Sequence, residues 1–547
     1  MRPLSACDMC RVRKRRCIIS KRGKPCNSCL IKRVPCSLSP AQPKVQSQSS
    51  PLSANGSIVA PPHASESRRP WDYPPHAVCT ELVNLYFDLV HDKQHIIFHR
   101  HTFMQAQQQR HAPDFLVLGM VALMARFSNI AYFKDIDPWD RAAPWLQRAM
   151  QAFNARPQLI NLPSLQGCIL LAFVAFVEGD TALDTLLSAQ AVRMVQVLQL
   201  PVALAAEPVQ RETEIRLFWQ TWMMETWHSV QAQLPAQLRS DPHFERPLEE
   251  TVYASMGTSN TSDPLGACNI EHLGSRTSGI WSQILPLTNI HGEVVRLNDQ
   301  LGTRGTLSQA DIRAQVRILS GRLANWVLGL SENLQDTLEN HKAFFEKGLQ
   351  LEFINVHLLY HHECQLLYYQ FLHRATSSDV DSDEAREAKA YAAQCKHHAA
   401  ALSRMMWEMH EANTPCVWSP LNGHLLVIAS SVHLHSMLYE TDPSTLSAVR
   451  TTMEHNFIML LQLQRYWPGL KLSLSRLRAF HRACLESHSH RNFDMDQWMI
   501  TFLNRYQSTV PERSVGGELE SWDIGQPIIG TPDAGELWKE ISGATSA

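Results

Sequence analysis

Leu187, Ala191, Met194, Val195 and Leu198 fall at i, i+4, i+7, i+8 and i+11, with Arg193 and Gln196 off that face and Pro201 beyond it. This is the apolar stripe of an amphipathic α-helix, and the proline is its stop signal. Similar periods recur at 79–91, 115–127, 165–177, 212–231, 309–329, 345–373, 385–409, 421–439 and 448–464. Alternating strand-like runs are scarce. Residues 71–505 are therefore expected to form one large, nearly all-α body. No apolar run reaches the roughly eighteen residues of a bilayer span. The chain reads as soluble, with no membrane partner.

The flanks of this body differ from it. Residues 41–70 hold seven Ser, five Pro, three Gln and no aromatic residue. Such a stretch cannot bury enough apolar surface to order itself. As a flexible tether it spans on the order of 30 Å root-mean-square. Val45, Leu52, Ile58 and Val59 make no 3.5-residue repeat, so no coiled coil is expected there. From about 506 to 547 the chain carries seven acids and two bases, with Leu519, Trp522, Leu537, Trp538 and Ile541 interspersed. That composition predicts a disordered acidic tail: either an activation segment that recruits co-activators, or an unstructured end with incidental tryptophans.

Residues 1–40 carry the chemistry. Cys7-x2-Cys10-x6-Cys17 is repeated nineteen residues on as Cys26-x2-Cys29-x6-Cys36. Thiolates so closely spaced call for a soft divalent metal, and zinc takes four ligands tetrahedrally. Two zinc ions need eight ligand positions, which six thiolates fill only if two are shared. The symmetry of the repeat makes Cys7 and Cys26 the shared pair. A peptide this small has little core of its own, so the metal supplies most of its folding energy. A one-zinc, four-cysteine finger also fits the two C-x2-C pairs, but it leaves Cys17 and Cys36 without a role. A disulfide framework needs an oxidising compartment, and MRPLSACDMC has no apolar stretch to direct secretion. The other cysteines (79, 168, 268, 364, 395, 416, 484) are far apart and are expected to be reduced, buried thiols.

Charge gives the cluster its purpose. Residues 1–40 hold eleven Lys or Arg against the single acid Asp8, a net +10, whereas the whole chain is −2. The remaining residues therefore sum to −12. Two zinc ions and six thiolates bring the module to about +8, still the electrostatic footprint of a nucleic-acid reader.

With C-x2-C-R-x-R-K-x-R-C in the first half and Pro25 before the fourth cysteine, this stretch resembles the fungal zinc binuclear cluster family of transcription regulators. The resemblance implies that the first helix enters the major groove of double-stranded DNA and reads a CGG-like half-site. The base-reading pair of the family falls on Arg13 and Lys14, and phosphate contacts fall on Arg11 and Arg16. Arg15 departs from the apolar residue often found there and reads as one more phosphate contact. Arg or Lys donating to guanine O6 and N7 is the commonest specific contact, so the chemistry agrees. The second half, with only Lys32 and Arg33 and with Pro35 shortening its helix, reads as a brace.

The body resembles the fungal-specific regulatory domain that follows such clusters. ELVNLYFDLVHDKQHIIFHRHTFM (81–104) matches its opening, PSLQGCILLAFVAFVEGD (163–180) and SAQAVRMVQVLQL (188–200) its central helix pair, and ETEIRLFWQTWMMETWHSV (212–230) its aromatic helix. Glu225 stands where the family often has Asp, and Leu234-Pro235 replaces a G-x-P.

Twenty-six histidines raise the alternative of an enzyme or metabolite sensor tethered to a zinc module. His91, His95 and His99 are spaced i, i+4, i+8, and His361-His362-Glu363-Cys364 and His488-Ser489-His490 are local clusters. No HExxH, G-x-S-x-G or Gly-rich phosphate loop accompanies them, so they read as surface or core histidines with no catalytic residue among them. Trp219, Trp222 and Trp227 read as core rather than as a ligand box. The expectation is a nuclear, non-enzymatic regulator of transcription by RNA polymerase II. Because one cluster reads only about three base pairs, a homodimer through the helical body is expected. The modest chain length resembles regulators of secondary-metabolite or catabolic gene clusters, by analogy alone.

Overall fold

The computed structural model describes residues 73–155, 159–257, 276, 279–302, 307–374, 382–412, 418–486, 494–506, 510 and 534–544. The chain divides into two compact units, Met1–Arg68 and Arg69–Ala547, and every described residue lies in the second. The six cysteines Cys7 to Cys36, the basic run Arg11 to Arg16 and the 41–70 linker fall outside the described residues, as do His488 and His490.

The described residues are mostly helical, with no strand and one isolated bridge between His91 and His95. The first group comprises α1 (His76–Leu89), α2 (Arg100–Gln108), α3 (Asp114–Met124), α4 (Ala143–Ala155), α5 (Leu162–Glu178), α6 (Thr181–Val197) and α7 (Pro208–Ala232). A short helix, Glu250–Ser255, leads to α8 (Ile280–Gly302), α9 (Gln309–Leu328), α10 (Leu338–Glu346) and α11 (Gln350–Tyr368). Then come α12 (Asp383–Glu411), α13 (Pro420–Tyr439), α14 (Pro443–Tyr466), α15 (Leu470–Glu486), α16 (Gln497–Asn504) and α17 (Ala534–Ala544).

Local chemistry sets the boundaries. Asn161 caps α5 by accepting from the Ser164 amide, Pro163 sits in the first turn, and Gly179 ends it at φ 79°. Gly179 meets Gly469, whose amide donates to the Val177 carbonyl; a Cβ on Gly469 would come within 2.8 Å of the Phe176 carbonyl oxygen. Only glycine lets the end of α5 lie against the turn before α15. Every residue of α3 from Phe115 to Met124 is buried, and nearly all of α13 from Leu425 to Ser436. A helix that is apolar all round belongs inside, and each fully buried Leu, Val or Phe there contributes about 1.5–3 kcal/mol.

Three expectations need correction. The single helix expected over 345–373 is broken, because Gly348 adopts φ 71° between α10 and α11. The helix expected over 79–91 ends before His91, because α1 stops at Leu89 and Asp92 takes φ 63°, which leaves His91 and His95 in a turn. Nor is the acidic tail devoid of structure: residues 534–544 form α17. Ala534, Leu537 and Ile541 of that helix are buried, Trp538 packs on Phe457, and Glu540 pairs with Arg478 and Arg482. Spaced i, i+3 and i+7, the buried residues are an apolar stripe that docks while Glu536 faces outward.

Candidate ligand cavity

The turn at residues 91–95 is the first part of the site, and it is clamped from several helices. Asn355 of α11 donates to the Lys93 carbonyl (3.3 Å), and Gln220 of α7 accepts from the Ile96 amide (3.2 Å). Trp281 of α8 donates to the Asp92 carbonyl (2.8 Å), and Gln166 of α5 donates to the Ile97 carbonyl (2.7 Å).

Behind the turn lies a fully buried guanidinium. Arg216 pairs with Glu212 (3.0 Å), donates to the Leu248 carbonyl (2.8 Å), faces Asp92 at 3.7 Å and lies 4.2 Å over the Tyr253 ring. Glu212 also binds Arg276 (2.9 Å). Charges removed from water survive when they are paired and hydrogen-bonded; Glu212 and the Nε and Nη2 of Arg216 are, while Arg216 Nη1 and Asp92 Oδ1 face each other without a hydrogen bond.

The turn then presents Lys93, Gln94 and His95 to a partly enclosed cavity of about 200 Å³. Ile169, Phe173 and Phe176 of α5 and Met223, Met224 and Trp227 of α7 make most of its apolar wall. Trp281 and Ile284 of α8, Leu359 of α11, Leu421 and Leu425 of α13, and Tyr506 complete it. Concave, mostly apolar sites with a few placed polar groups are where small molecules bind.

The polar groups differ in how fully they are engaged. His228 bonds Asp184 through Nε2 (2.9 Å) and the Met224 carbonyl through Nδ1 (2.8 Å). Burial works against its imidazolium, but those bonds outweigh it and hold its pKa above the ordinary value. Asn355 and Asn422 bond each other (3.0 Å), and the Thr288 hydroxyl donates to the Ile284 carbonyl (3.1 Å). Burial pushes His95 down to about 3, so it is a neutral ring that shares a hydrogen bond with the Tyr86 hydroxyl (3.2 Å). Lys93 is the exception. Its ammonium lies 3.4 Å from Glu352, and neither carboxylate oxygen of Glu352 has a hydrogen-bond partner. Burial raises Glu352 to about 7 against the pull of Lys93.

Beneath the floor is a stack of rings. Trp227 lies face to face with His291 (3.7 Å between centroids), and His291 bonds Glu363 (3.0 Å). His362 and His424 continue the array to the fully buried Arg476, whose Nη1 donates to His424 Nδ1 (3.2 Å). Burial keeps both His362 and His424 well below the usual imidazole range.

Trp219 and Trp222 are core, as the sequence suggests. Trp227 is not: it lines the cavity. Lys93 and Tyr506 were not singled out from sequence, since neither carries a local motif. Glu225, flagged as a departure, accepts from the Gln237 and Leu238 amides and so folds back the loop after α7. Among the described residues, Cys79, Cys168, Cys364, Cys395 and Cys484 are buried and none is in a disulfide. No group of three or more His, Cys, Asp or Glu among the described residues could hold a metal, and no described helix is long and apolar enough to cross a membrane.

Residues 83–328 match the fungal specific transcription factor domain. The chain is similar to an uncharacterized transcriptional regulatory protein of Schizosaccharomyces pombe, 22% identical over 83% of this chain and 58% of that protein. It is also similar to a Zn(2)-C6 fungal-type transcription factor, FTF1c, of Fusarium oxysporum f. sp. lycopersici, 21% identical over 86% of this chain and 53% of that one. The chain thus spans little more than half the length of these relatives. No solved structure matches. The matched domain and the names of these relatives are those of transcription regulators.

Proposed function

We propose that this chain is a nuclear, sequence-specific DNA-binding regulator of transcription by RNA polymerase II. The observation that carries this reading is the doubled spacing Cys7-x2-Cys10-x6-Cys17 and Cys26-x2-Cys29-x6-Cys36. It is supported by a regulatory-domain match downstream and by a relative named as a Zn(2)-C6 factor. The six thiolates hold two zinc ions. Arg13 and Lys14 read a CGG-like half-site, while Arg11, Arg15 and Arg16 neutralise phosphates. The helical body regulates and pairs two copies, which supplies the second reading head that one half-site lacks. A secondary-metabolite or catabolic gene cluster is the target class this reading favours.

Zinc content and DNA binding of the full chain test it together. Native mass spectrometry should show two zinc ions per chain, and Cys26→Ala should lose both because it removes a shared ligand. Lys14→Ala should cost about 1–3 kcal/mol on the preferred site and relax base choice there. Arg16→Ala should weaken all sequences alike and lower the salt slope by about one. A single zinc in the wild-type chain, or equal losses on specific and random DNA for both variants, overturns the reading.

A further inference from the structure

We infer that the cavity between α5, α7, α8 and α13 binds a flat organic acid of one or two rings, with its apolar body against Phe173, Met223 and Trp227 and its carboxylate on the Lys93 ammonium. The site is independent of the DNA-binding reading and stands or falls without it.

Size comes first. At about 200 Å³ the cavity exceeds the roughly 150 Å³ apolar void that takes up a benzene ring. The aromatic and thioether walls favour a flat, polarisable occupant: rings prefer offset or edge contacts, and methionine adapts to irregular shapes.

The polar end follows from which wall groups still have hydrogen-bonding capacity. Asp184 and His228 are committed to each other, and Asn355 and Asn422 likewise. Lys93 is one of the cavity's lining residues and carries three donors, and Glu352 stands 3.4 Å from its ammonium with no hydrogen bond made. An acceptor oxygen is what that ammonium lacks, and a charged one gains most in a low-dielectric setting. Glu352 does not hold the ammonium against such a ligand. It is buried, and burial raises its pKa to about 7, so near neutral pH it can take a proton and release Lys93 at small cost. The turn that carries Lys93 is fixed by Asn355, Gln220 and Trp281. The backbone that carries the ammonium is therefore set before the ligand arrives, which lowers the entropy lost on binding.

Calorimetry on the full chain with 2-naphthoate and 2-naphthylmethanol tests this, since the two share rings and differ in charge. The wild type should bind naphthoate saturably, one per chain, and more tightly than the alcohol. Lys93→Met should weaken naphthoate at least tenfold and leave the alcohol within twofold. Glu352→Gln should tighten naphthoate several-fold by freeing the ammonium. Met223→Trp, which fills the cavity, should abolish both, and Leu425→Phe provides the same test should the first variant lose its helical circular dichroism. Absence of saturable binding of both probes to the wild type overturns the proposal. So does binding untouched by a folded filling variant, or a Lys93→Met loss that is equal for the two probes.

Discussion

Arg216 and Arg476 are both fully buried, yet the protein treats their charges in opposite ways. Around Arg216 stand Glu212, Asp92 and Glu250, the Leu248 carbonyl and the face of Tyr253. Burial opposes that guanidinium, but Glu212 and then Asp92 more than compensate, and its pKa is held above the ordinary value. Arg476 has no carboxylate partner among the described residues. It donates to one nitrogen of His424 and lies 5.4 Å from the Phe502 ring, while its Nε and Nη2 make no hydrogen bond. Burial pulls its pKa down to about 9. The first arginine joins α7 to the turn that carries Lys93 and to the segment before α8. The second only tethers α15 to a neutral ring on α13. A buried cation stabilises as a member of a network, and alone it is a cost that packing must offset.

Acid should expose this difference most strongly. His362 and His424 face Arg476, His291 and each other, and both stay neutral in the fold. Their folded-state pKa lies below the unfolded value of about 6.5. Below that pH the unfolded chain binds protons that the folded chain refuses. Stability is therefore fully present above pH 6.5 and falls as the pH drops. These two rings alone should make stability fall progressively as the pH drops below 6.5. Urea unfolding at a series of pH values checks this. The double variant His362→Leu, His424→Gln should flatten the curve, and an unchanged slope would assign the acid loss to other groups.

Arg216→Met should come next. It takes the buried cation from Glu212, which keeps only the partly exposed Arg276, and from part-buried Asp92, a loss of about 3–5 kcal/mol. Hydrogen exchange should quicken at the 91–95 turn and around Leu248 before it does in α13. Uniform loosening would mean that the network does not specially secure the cavity wall.

Arg216 and Arg476 also show what a sequence can and cannot disclose. Helix placement was largely legible, because the 3.6-residue period survives wherever a helix buries one face. The stripes of α6 and α7 were visible in full, from Leu187 to Val195 and from Ile215 to Trp222. The stripe of α4 (Trp145, Leu146, Ala149, Phe153) has the same helical spacing, whereas Pro286 hides α8 by interrupting its pattern. Acidic composition masked Ala534, Leu537 and Ile541 of α17, although their spacing is helical. The cavity was not legible at all. Lys93, Trp227, Asn422 and Tyr506 are brought together by tertiary packing, and no local spacing records that. The histidines were counted correctly but could not be located. Only the fold shows that His362 and His424 line a buried file leading to Arg476, while His228 is ion-paired at the cavity.

Arg476→Met should have the smallest effect and is the sharpest check on the comparison. Methionine matches much of the arginine stem and leaves no charge to desolvate. The hydrogen bond that it forfeits goes to a neutral ring nitrogen, worth about 0.5–1.5 kcal/mol. The desolvation it relieves is at least as large, since two of the guanidinium nitrogens are buried without partners. Stability should stay within about 1 kcal/mol of wild type or rise, as it often does when a buried charge gives way to an apolar group of similar volume. The acid slope should also become shallower, because protonated His424 would no longer meet a fixed positive charge. Denaturant midpoints of this variant at pH 7.5 and pH 5 measure both effects. A loss above 2 kcal/mol at pH 7.5 would show that Arg476, like Arg216, has a charged partner, and the contrast between the two would fail.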